Sequence, residues 1–203
     1  MRVVKESSDE LNPSVVTHGY IERAPRRRTW RDGVALAVAT CGVGYAPVAP
    51  GTWGSLVGVG LYVAANFLSA GAVAYAAARG WSLPPLEAFR TTLVLVLLIG
   101  ITIAGIWAAS RAESLLVRKD PGAVVIDEVV GQLITFVFVP YEIGAWAIMA
   151  GFVVFRVFDI WKPYPIRRLE ALESGLGIMA DDVLAGFYAA TLMALLTSIY
   201  LLF

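Results

Sequence analysis

Long apolar runs separated by short polar stretches make up most of the chain after its first 33 residues. A run of about 20 apolar residues is long enough to cross a bilayer as an α-helix. Four runs approach this length, at residues 56–78, 91–110, 143–158 and 183–203. A fifth run, at residues 126–139, is shorter and contains acidic residues. The pattern predicts an all-α integral membrane protein with about four to five transmembrane helices.

The region before these runs divides into two parts. Residues 1–33 are polar, so we expect a surface tail, followed by a helical membrane domain over residues 34–203. The basic run at 26–28 suits either a cytoplasmic anchor or added attraction to anionic lipid headgroups. Residues 34–50 are apolar but contain two prolines, which interrupt helices. This segment is therefore predicted to be broken or re-entrant.

Composition agrees with a membrane location. Hydrophobic residues make up 58% of the chain and charged residues 16%, whereas soluble domains average about 50% and about 25%. The formal net charge is zero, and we expect no nucleic-acid partner. One cysteine, Cys41, excludes an intramolecular disulfide, and one histidine, His18, stands alone in the tail. Cysteine and histidine chemistry is therefore not favoured.

The basic residues are unevenly distributed between the predicted loops. The tail carries seven Lys and Arg, and the stretches 111–125 and 159–182 carry three each. The stretches on the other side, 79–90 and 140–142, carry two and none. Because cytoplasmic loops are enriched in Lys and Arg, we predict a cytoplasmic N-terminus.

Three groups of charged residues stand at the edges of apolar runs, where charge is costly. They are Asp127 with Glu128, Arg156 with Asp159 and Lys162, and Asp181 with Asp182. The predicted topology places all three near the cytoplasmic face. Gly131 and Gly186 each follow one group by four positions, and glycine on a helix face lets another helix approach closely. We expect the fold to bring the three groups together.

These groups contain five carboxylates against two or three nearby bases. One interpretation is structural, with Arg111, Arg156 and Lys162 forming interhelical ion pairs. The other is a divalent cation, and oxygen ligands without His or Cys favour Mg²⁺. A cation beside Lys and Arg suits hydrolysis of a phosphate ester, because both stabilise negative charge on the phosphoryl group.

Thr52 and Ser55 stand where the first long apolar run begins. Either hydroxyl can cap the helix. A helix N-terminus also favours a bound phosphate through its free N–H groups and partial positive charge. The local sequence leaves both roles open.

Four segments in order resemble the signature blocks of the phosphatidylglycerophosphatase A family. They are PGTWGSL at 50–56, IDEVVG at 126–131, FRVFDIWKPYP at 155–165 and GLGIMADDVLAG at 175–186. Four blocks in order are far more specific than one, since Asp-Glu-x-x-Gly alone is a weak signal. The matched region runs from residue 42 to about residue 195, so the tail is not covered.

The resemblance implies a multi-pass enzyme of the bacterial inner membrane that requires Mg²⁺. Its substrate would be a phospholipid in the bilayer, phosphatidylglycerophosphate, and its product phosphatidylglycerol. The domain at 34–203 would then be the phosphatase, with its active site on the cytoplasmic side. The resemblance also favours the phosphate-binding role for Thr52 and Ser55.

Our assignment of individual roles is a hypothesis drawn from the residue types. The expected Mg²⁺ ligands are Glu128, Asp181, Asp182 and Asp127, the last of which completes the shell or orients the attacking water. The expected catalytic residues are Asp127, Asp159 and Lys162. Substrate phosphate is expected to contact Thr52, Ser55, Arg156 and Lys162. Asp159 is expected to position Lys162.

Three other classes of protein remain open at this point. A transporter or channel would need polar residues through the membrane depth, whereas here they gather at one face. A structural subunit would use the charges as ion pairs. A transferase of phospho-alcohol groups would carry a spaced Asp-rich signature, which the sequence lacks. The oligomeric state is not indicated.

Overall fold

The computed structural model describes residues 28–140 and 143–203. In these ranges the chain forms seven α-helices: α1 (Trp30–Thr40), α2 (Pro50–Ala78), α3 (Leu83–Leu116), α4 (Ile126–Thr135), α5 (Ala145–Trp161), α6 (Ile166–Leu169) and α7 (Ser174–Leu202). Most of the predicted tail lies outside the described residues, although residues 30–33 already belong to α1. The prediction of an all-helical protein is confirmed.

Three helices, α2, α3 and α7, are long and apolar enough to cross a membrane. Large apolar side chains on their surfaces are exposed, among them Phe67, Ile99 and Leu195. Apolar faces of this extent are typical of a surface covered by lipid rather than water. Of the three, α2 is the least covered by protein: 6% of the residues in its most apolar stretch are buried.

The two remaining predicted spans correspond to shorter helices. The run at 126–139 forms α4, which has 10 residues and is therefore about 15 Å long, half of the about 30 Å hydrocarbon core. It ends where tight turns at Phe136 and Val137 replace the helical hydrogen bonds. The run at 143–158 forms α5 with 17 residues, below the length of the three long helices. Apolar composition overestimated the length of α4, because a helix buried by protein is also apolar. Helix α5 agrees with the predicted run, and its exposed apolar side chains include Met149 and Val153.

Two predicted loops are partly helical. The loop predicted at 79–90 ends early, because α3 begins at Leu83 and takes Pro84 and Pro85 into its first turn. Proline is tolerated there, since the first N–H groups of a helix have no intrahelical partner. The last helix begins at Ser174 rather than 183, so Asp181 and Asp182 lie within α7.

The short helix α4 occupies the centre of the bundle, between α2 and α7. Its buried residues include Val129 and Val130, which pack with apolar residues of α1, α3 and α7. Gly131 and Gly186 meet where α4 crosses α7, since a Cβ on Gly186 would contact the Gly131 carbonyl. The expectation of close approach at these two glycines is confirmed. The crossing brings the first turns of α4 beside Asp182.

Helix α1 is attached to α3 by an ion pair whose carboxylate is buried. Asp32 is fully buried and accepts a hydrogen bond of 2.6 Å from Arg111 Nε. Its second oxygen accepts hydrogen bonds from the backbone N–H and the hydroxyl of Thr29, at 2.7 and 2.9 Å. The Thr29 backbone hydrogen bond, helped by Arg111, lowers the pKa of Asp32 to about 2. Arg111 is thus engaged away from the acidic clusters.

Candidate active site

Five helices present one end to a single cavity of about 710 Å³. The first turns of α2, α4 and α7 border it, together with the last turns of α3 and α5. Alternating helices of a bundle run in opposite directions, so their starts and ends meet at one side. All three charged groups that were predicted from the sequence to come together line this cavity.

The centre of the cavity is formed by Asp127 and Glu128 of α4 and Asp182 of α7. One carboxylate oxygen from each lies within 4.8 Å of the other two. The Gly131–Gly186 crossing makes this possible, because it brings the two helix backbones together one turn away. Three oxygen ligands converging on one point suit a hard divalent cation.

Two of these carboxylates each have one oxygen without a hydrogen-bond partner among the described residues. Asp127 Oδ1 and Glu128 Oε2 are buried and accept no hydrogen bond from any described residue. Burial raises the pKa of Asp127, and the neighbouring carboxylates Glu128 and Asp182 raise it further. Burial likewise raises the pKa of Glu128. A bound cation would relieve both effects, since it supplies the missing contacts and the missing positive charge. The residues present therefore fit Mg²⁺.

Lys162 stands beside this triad with its ammonium between two acids. It donates hydrogen bonds of 2.6 Å to Asp181 and to Glu170. Burial alone would lower the pKa of Lys162, but these two hydrogen bonds outweigh it and raise the pKa above its ordinary value. The side chain is therefore fully charged at neutral pH. Asp181 Oδ1 remains buried without a partner among the described residues.

Arg156 is held by the acid one turn later on the same helix. Its Nη1 lies 2.5 Å from Asp159 Oδ2 and 3.5 Å from the hydroxyl of Ser55. The expectation that Asp159 positions Lys162 is therefore wrong: Asp159 contacts Arg156, and Lys162 contacts Asp181. The sequence placed all three in one charged group but could not show which partner each would take.

The start of α2 forms one wall of the cavity through Ala49, Pro50 and Gly51. Ala49 is the N-cap, so neither Thr52 nor Ser55 takes the capping role that the local sequence left open. Ser55 is buried and donates to the Gly51 carbonyl at 3.0 Å. Thr52 and Ser55 lie behind this wall, and Ser55 reaches the site through Arg156.

Gly51 leaves room for the acidic centre. A Cβ at this position would overlap Glu128 Oε1 and would lie 3.3 Å from Arg156 Nη1. Absence of a side chain lets the first turn of α2 pass directly over both groups.

Glu170 was not identified from the sequence as part of the site. It follows α6 in a stretch that reads as a polar loop, and its contact with Lys162 spans eight positions. No local pattern of residues indicates this contact. The turn at Lys162, whose φ is 48°, directs the chain back across the cavity.

The cavity has a strong excess of negative charge. Eight acids and three bases of the described residues line it: Glu113, Asp120, Asp127, Glu128, Asp159, Glu170, Asp181 and Asp182 against Lys119, Arg156 and Lys162. An anionic ligand could enter only if cations offset this charge. The arrangement suits a metal ion and a phosphate bound side by side.

The comparisons with known proteins agree with this geometry. The family model of phosphatidylglycerophosphatase A matches residues 36–197, which include every residue of the triad. The chain belongs to the phosphatidylglycerophosphatase A family. No solved structure matches the chain.

Three relatives carry two different names. A protein of Bacteroides thetaiotaomicron, named provisionally as a phosphatidylinositol-3-phosphatase, is 41% identical over 75% of this chain and 86% of its own length. The phosphatidylglycerophosphatase A of Escherichia coli is 33% identical over 75% of this chain and 76% of its own. That of Haemophilus influenzae is 37% identical over 77% and 83%. The family is thus that of lipid phosphatases, with two substrates among the names.

Proposed function

We propose that this protein is a Mg²⁺-dependent phosphatase that removes the terminal phosphate of phosphatidylglycerophosphate and leaves phosphatidylglycerol. The observation that carries the proposal is the triad of Asp127, Glu128 and Asp182, which meets beside Arg156 and Lys162 in one cavity. The family and two of the named relatives support the substrate.

The cation is assigned to the triad. Asp127, Glu128 and Asp182 would hold Mg²⁺, which when bound supplies positive charge against the phosphoryl oxygens. This differs from the set expected from sequence, because Asp181 is occupied by Lys162. Asp127 is assigned to the cation shell, since its oxygen lies among those of the other two ligands.

The phosphate of the substrate is assigned to Arg156 and Lys162. Asp159 holds the guanidinium of Arg156, so that its remaining N–H groups can donate to phosphoryl oxygens. Lys162 also lines the cavity, where its contact with Asp181 of α7 holds a second positive charge. Ser55 contributes indirectly, through its contact with Arg156, whereas Thr52 does not line the cavity.

Asp181 is assigned as the group that orients the attacking water. One of its oxygens is fixed by Lys162 and the other is buried without a partner in the described part of the chain. The free oxygen can accept a proton from water. Attack by that water forms one P–O bond and breaks the ester P–O bond. The leaving alkoxide takes up a proton equivalent to the one that Asp181 accepted, so inorganic phosphate and the lipid alcohol are released.

The protein is assigned to a bacterial inner membrane, with the cavity and the N-terminus on the cytoplasmic side. The three long apolar helices and the excess of Lys and Arg in the segments around the cavity support this orientation. The acyl chains of the substrate then stay in the bilayer, and only the headgroup enters the site.

A transporter or channel is less well supported by the same structure. A second cavity, of about 320 Å³, lies deeper along α2 and α3 and is lined mainly by apolar residues such as Leu95, Leu98 and Phe136. An ion path through the membrane would place polar groups at this depth.

Phosphate release from defined lipids tests the proposal. Purified protein in mixed micelles is given phosphatidylglycerophosphate or phosphatidylinositol 3-phosphate, with Mg²⁺ or with EDTA. We expect release from the first lipid that requires Mg²⁺, and a loss of at least about 100-fold in kcat/KM for Lys162→Ala. Preference for the inositol lipid would assign the other substrate, and absence of release from both would contradict the proposal. The control is Arg79→Ala at the opposite end of α2, which should keep the wild-type kcat/KM.

A further inference from the structure

Lys119 differs from the other two bases that line the acidic cavity. Arg156 and Lys162 each contact a carboxylate within 2.6 Å, and their side chains are 20% and 23% exposed. Lys119 is exposed, and no ion pair engages it within the part of the chain that the structure describes. The cavity therefore has two held bases inside and one available base at its rim.

The end of the loop that carries Lys119 is fixed against α1 and the turn that follows α1. Val125 N–H donates to the Ala39 carbonyl at 2.8 Å, and Val124 N–H donates to Pro121 at the same distance. Gly44, in the turn before α2, packs directly against the Ala123 carbonyl. The rim of the cavity is thus built from this loop and the start of α2.

The two lipids named among the relatives share one chemical feature. Each headgroup carries a phosphate monoester, which is removed, and a phosphodiester, which joins the headgroup to diacylglycerol. The held bases and the cation site account for the monoester alone. The diester joins the headgroup to the acyl chains, so a monoester bound beside the cation site would leave the diester towards the rim, where Lys119 lies. A second anion there requires a second cation, because the cavity itself is strongly acidic.

We infer that Lys119 binds the phosphodiester of the substrate headgroup and makes the enzyme selective for lipids with two phosphates. The inference rests on the proposed function. It deepens that function by assigning the choice of substrate to a residue outside the acidic centre.

Comparison of two lipids tests this selectivity. The substrates are phosphatidylglycerophosphate, which has the monoester and the diester, and phosphatidic acid, which has a monoester only. For Lys119→Gln we expect kcat/KM on the first lipid to fall about tenfold, mainly through KM, and kcat/KM on the second to be unchanged. Lys119→Arg should keep most of the wild-type kcat/KM on phosphatidylglycerophosphate. Arg118→Gln, an adjacent exposed base that does not line the cavity, should behave as the wild type.

Each outcome decides between the two proposals. An equal loss on both lipids, or no loss on either, overturns the role of Lys119 while hydrolysis by the wild type still supports the phosphatase. A loss in Arg118→Gln equal to that in Lys119→Gln reduces the effect to general surface charge and also overturns it. A wild type that hydrolyses neither lipid contradicts the proposed function, and this inference with it.

Discussion

Asp32 and the triad of Asp127, Glu128 and Asp182 both withdraw carboxylate oxygens from solvent, but they differ in how those oxygens are satisfied. Both oxygens of Asp32 accept hydrogen bonds, from Thr29 and Arg111. In the triad, Asp127 Oδ1 and Glu128 Oε2 accept none from the described residues. Burial of a carboxylate therefore does not by itself indicate function. A buried carboxylate oxygen without a hydrogen-bond partner is the more informative observation.

The energetic consequence is opposite at the two places. Asp32 stabilises the attachment of α1 to α3, because its charge is paired and fully hydrogen-bonded. The triad destabilises the fold without a cation, since like charges are held close together. Strain of this kind is commonly retained at functional sites at the expense of stability.

The largest expected effect is on activity, from Asp127→Asn. Loss of one ligand of the cation should lower kcat/KM by more than about 100-fold. The melting temperature measured without divalent cation should stay the same or rise, because one repulsive charge is removed. Thermal unfolding in detergent and phosphate release measure the two quantities. Glu87→Gln, an exposed acid in the first turns of α3, is the control. If Asp127→Asn kept wild-type activity or lost much stability, the distinction between the triad and Asp32 would be contradicted.

A smaller effect is expected where the triad is only displaced. Gly51→Ala places a methyl group against Glu128 Oε1, which moves the ligand but removes nothing. We expect kcat/KM to fall by about 10- to 100-fold, since small misplacements of reacting groups are costly. The matched control is Gly60→Ala on the same helix, where a Cβ meets nothing within 4 Å. Equal activity of the two variants would show that the start of α2 does not constrain the site.

The reverse pattern is expected for Asp32→Asn. The variant keeps the shape of the side chain but loses the charge that pairs with Arg111. Its melting temperature should fall below that of the wild type, while kcat/KM is unchanged because Asp32 does not line the cavity. A loss of activity in the folded variant would contradict the assignment of this pair to structure.

The smallest expected effect is that the difference in stability between the wild type and Asp32→Asn depends on pH. The pKa of Asp32 is lowered from 3.8 to about 2 in the folded protein. A lowered pKa contributes stability that is complete above pH 3.8 and is lost as the pH falls towards about 2. The gap in stability between the wild type and Asp32→Asn should therefore be constant from neutral pH to about 5 and close in acid. A gap of undiminished size at pH 2 would assign the difference in stability to packing.

The sequence predicted which residues meet better than it predicted how they pair. Gly131 and Gly186 indicated close helix approach, and the one-sided distribution of charge indicated a common cavity. Both follow from general costs, of side-chain bulk between helices and of charge in a membrane. The pairing of Asp159 with Arg156 instead of Lys162 depends on the turn after α5, where Lys162 has a φ of 48°.

The ion pair that attaches α1 to α3 could not be predicted. The pair of Asp32 and Arg111 joins residues 79 positions apart, and Asp32 lies in a stretch that reads as a polar tail. Helix length was also misread where an apolar run is buried by protein rather than lipid, as in α4. Hydropathy measures removal from water and does not distinguish these two surroundings.

Binding of Mn²⁺, followed by electron paramagnetic resonance on the purified protein, tests the central claim most directly. Mn²⁺ takes oxygen ligands as Mg²⁺ does and is visible to the method. The wild type and Asp32→Asn should bind Mn²⁺ equally, and Asp182→Asn should bind it at least about 10-fold more weakly. No protein-bound signal in the wild type, or equal binding by Asp182→Asn, would contradict a cation site at the meeting of α4 and α7.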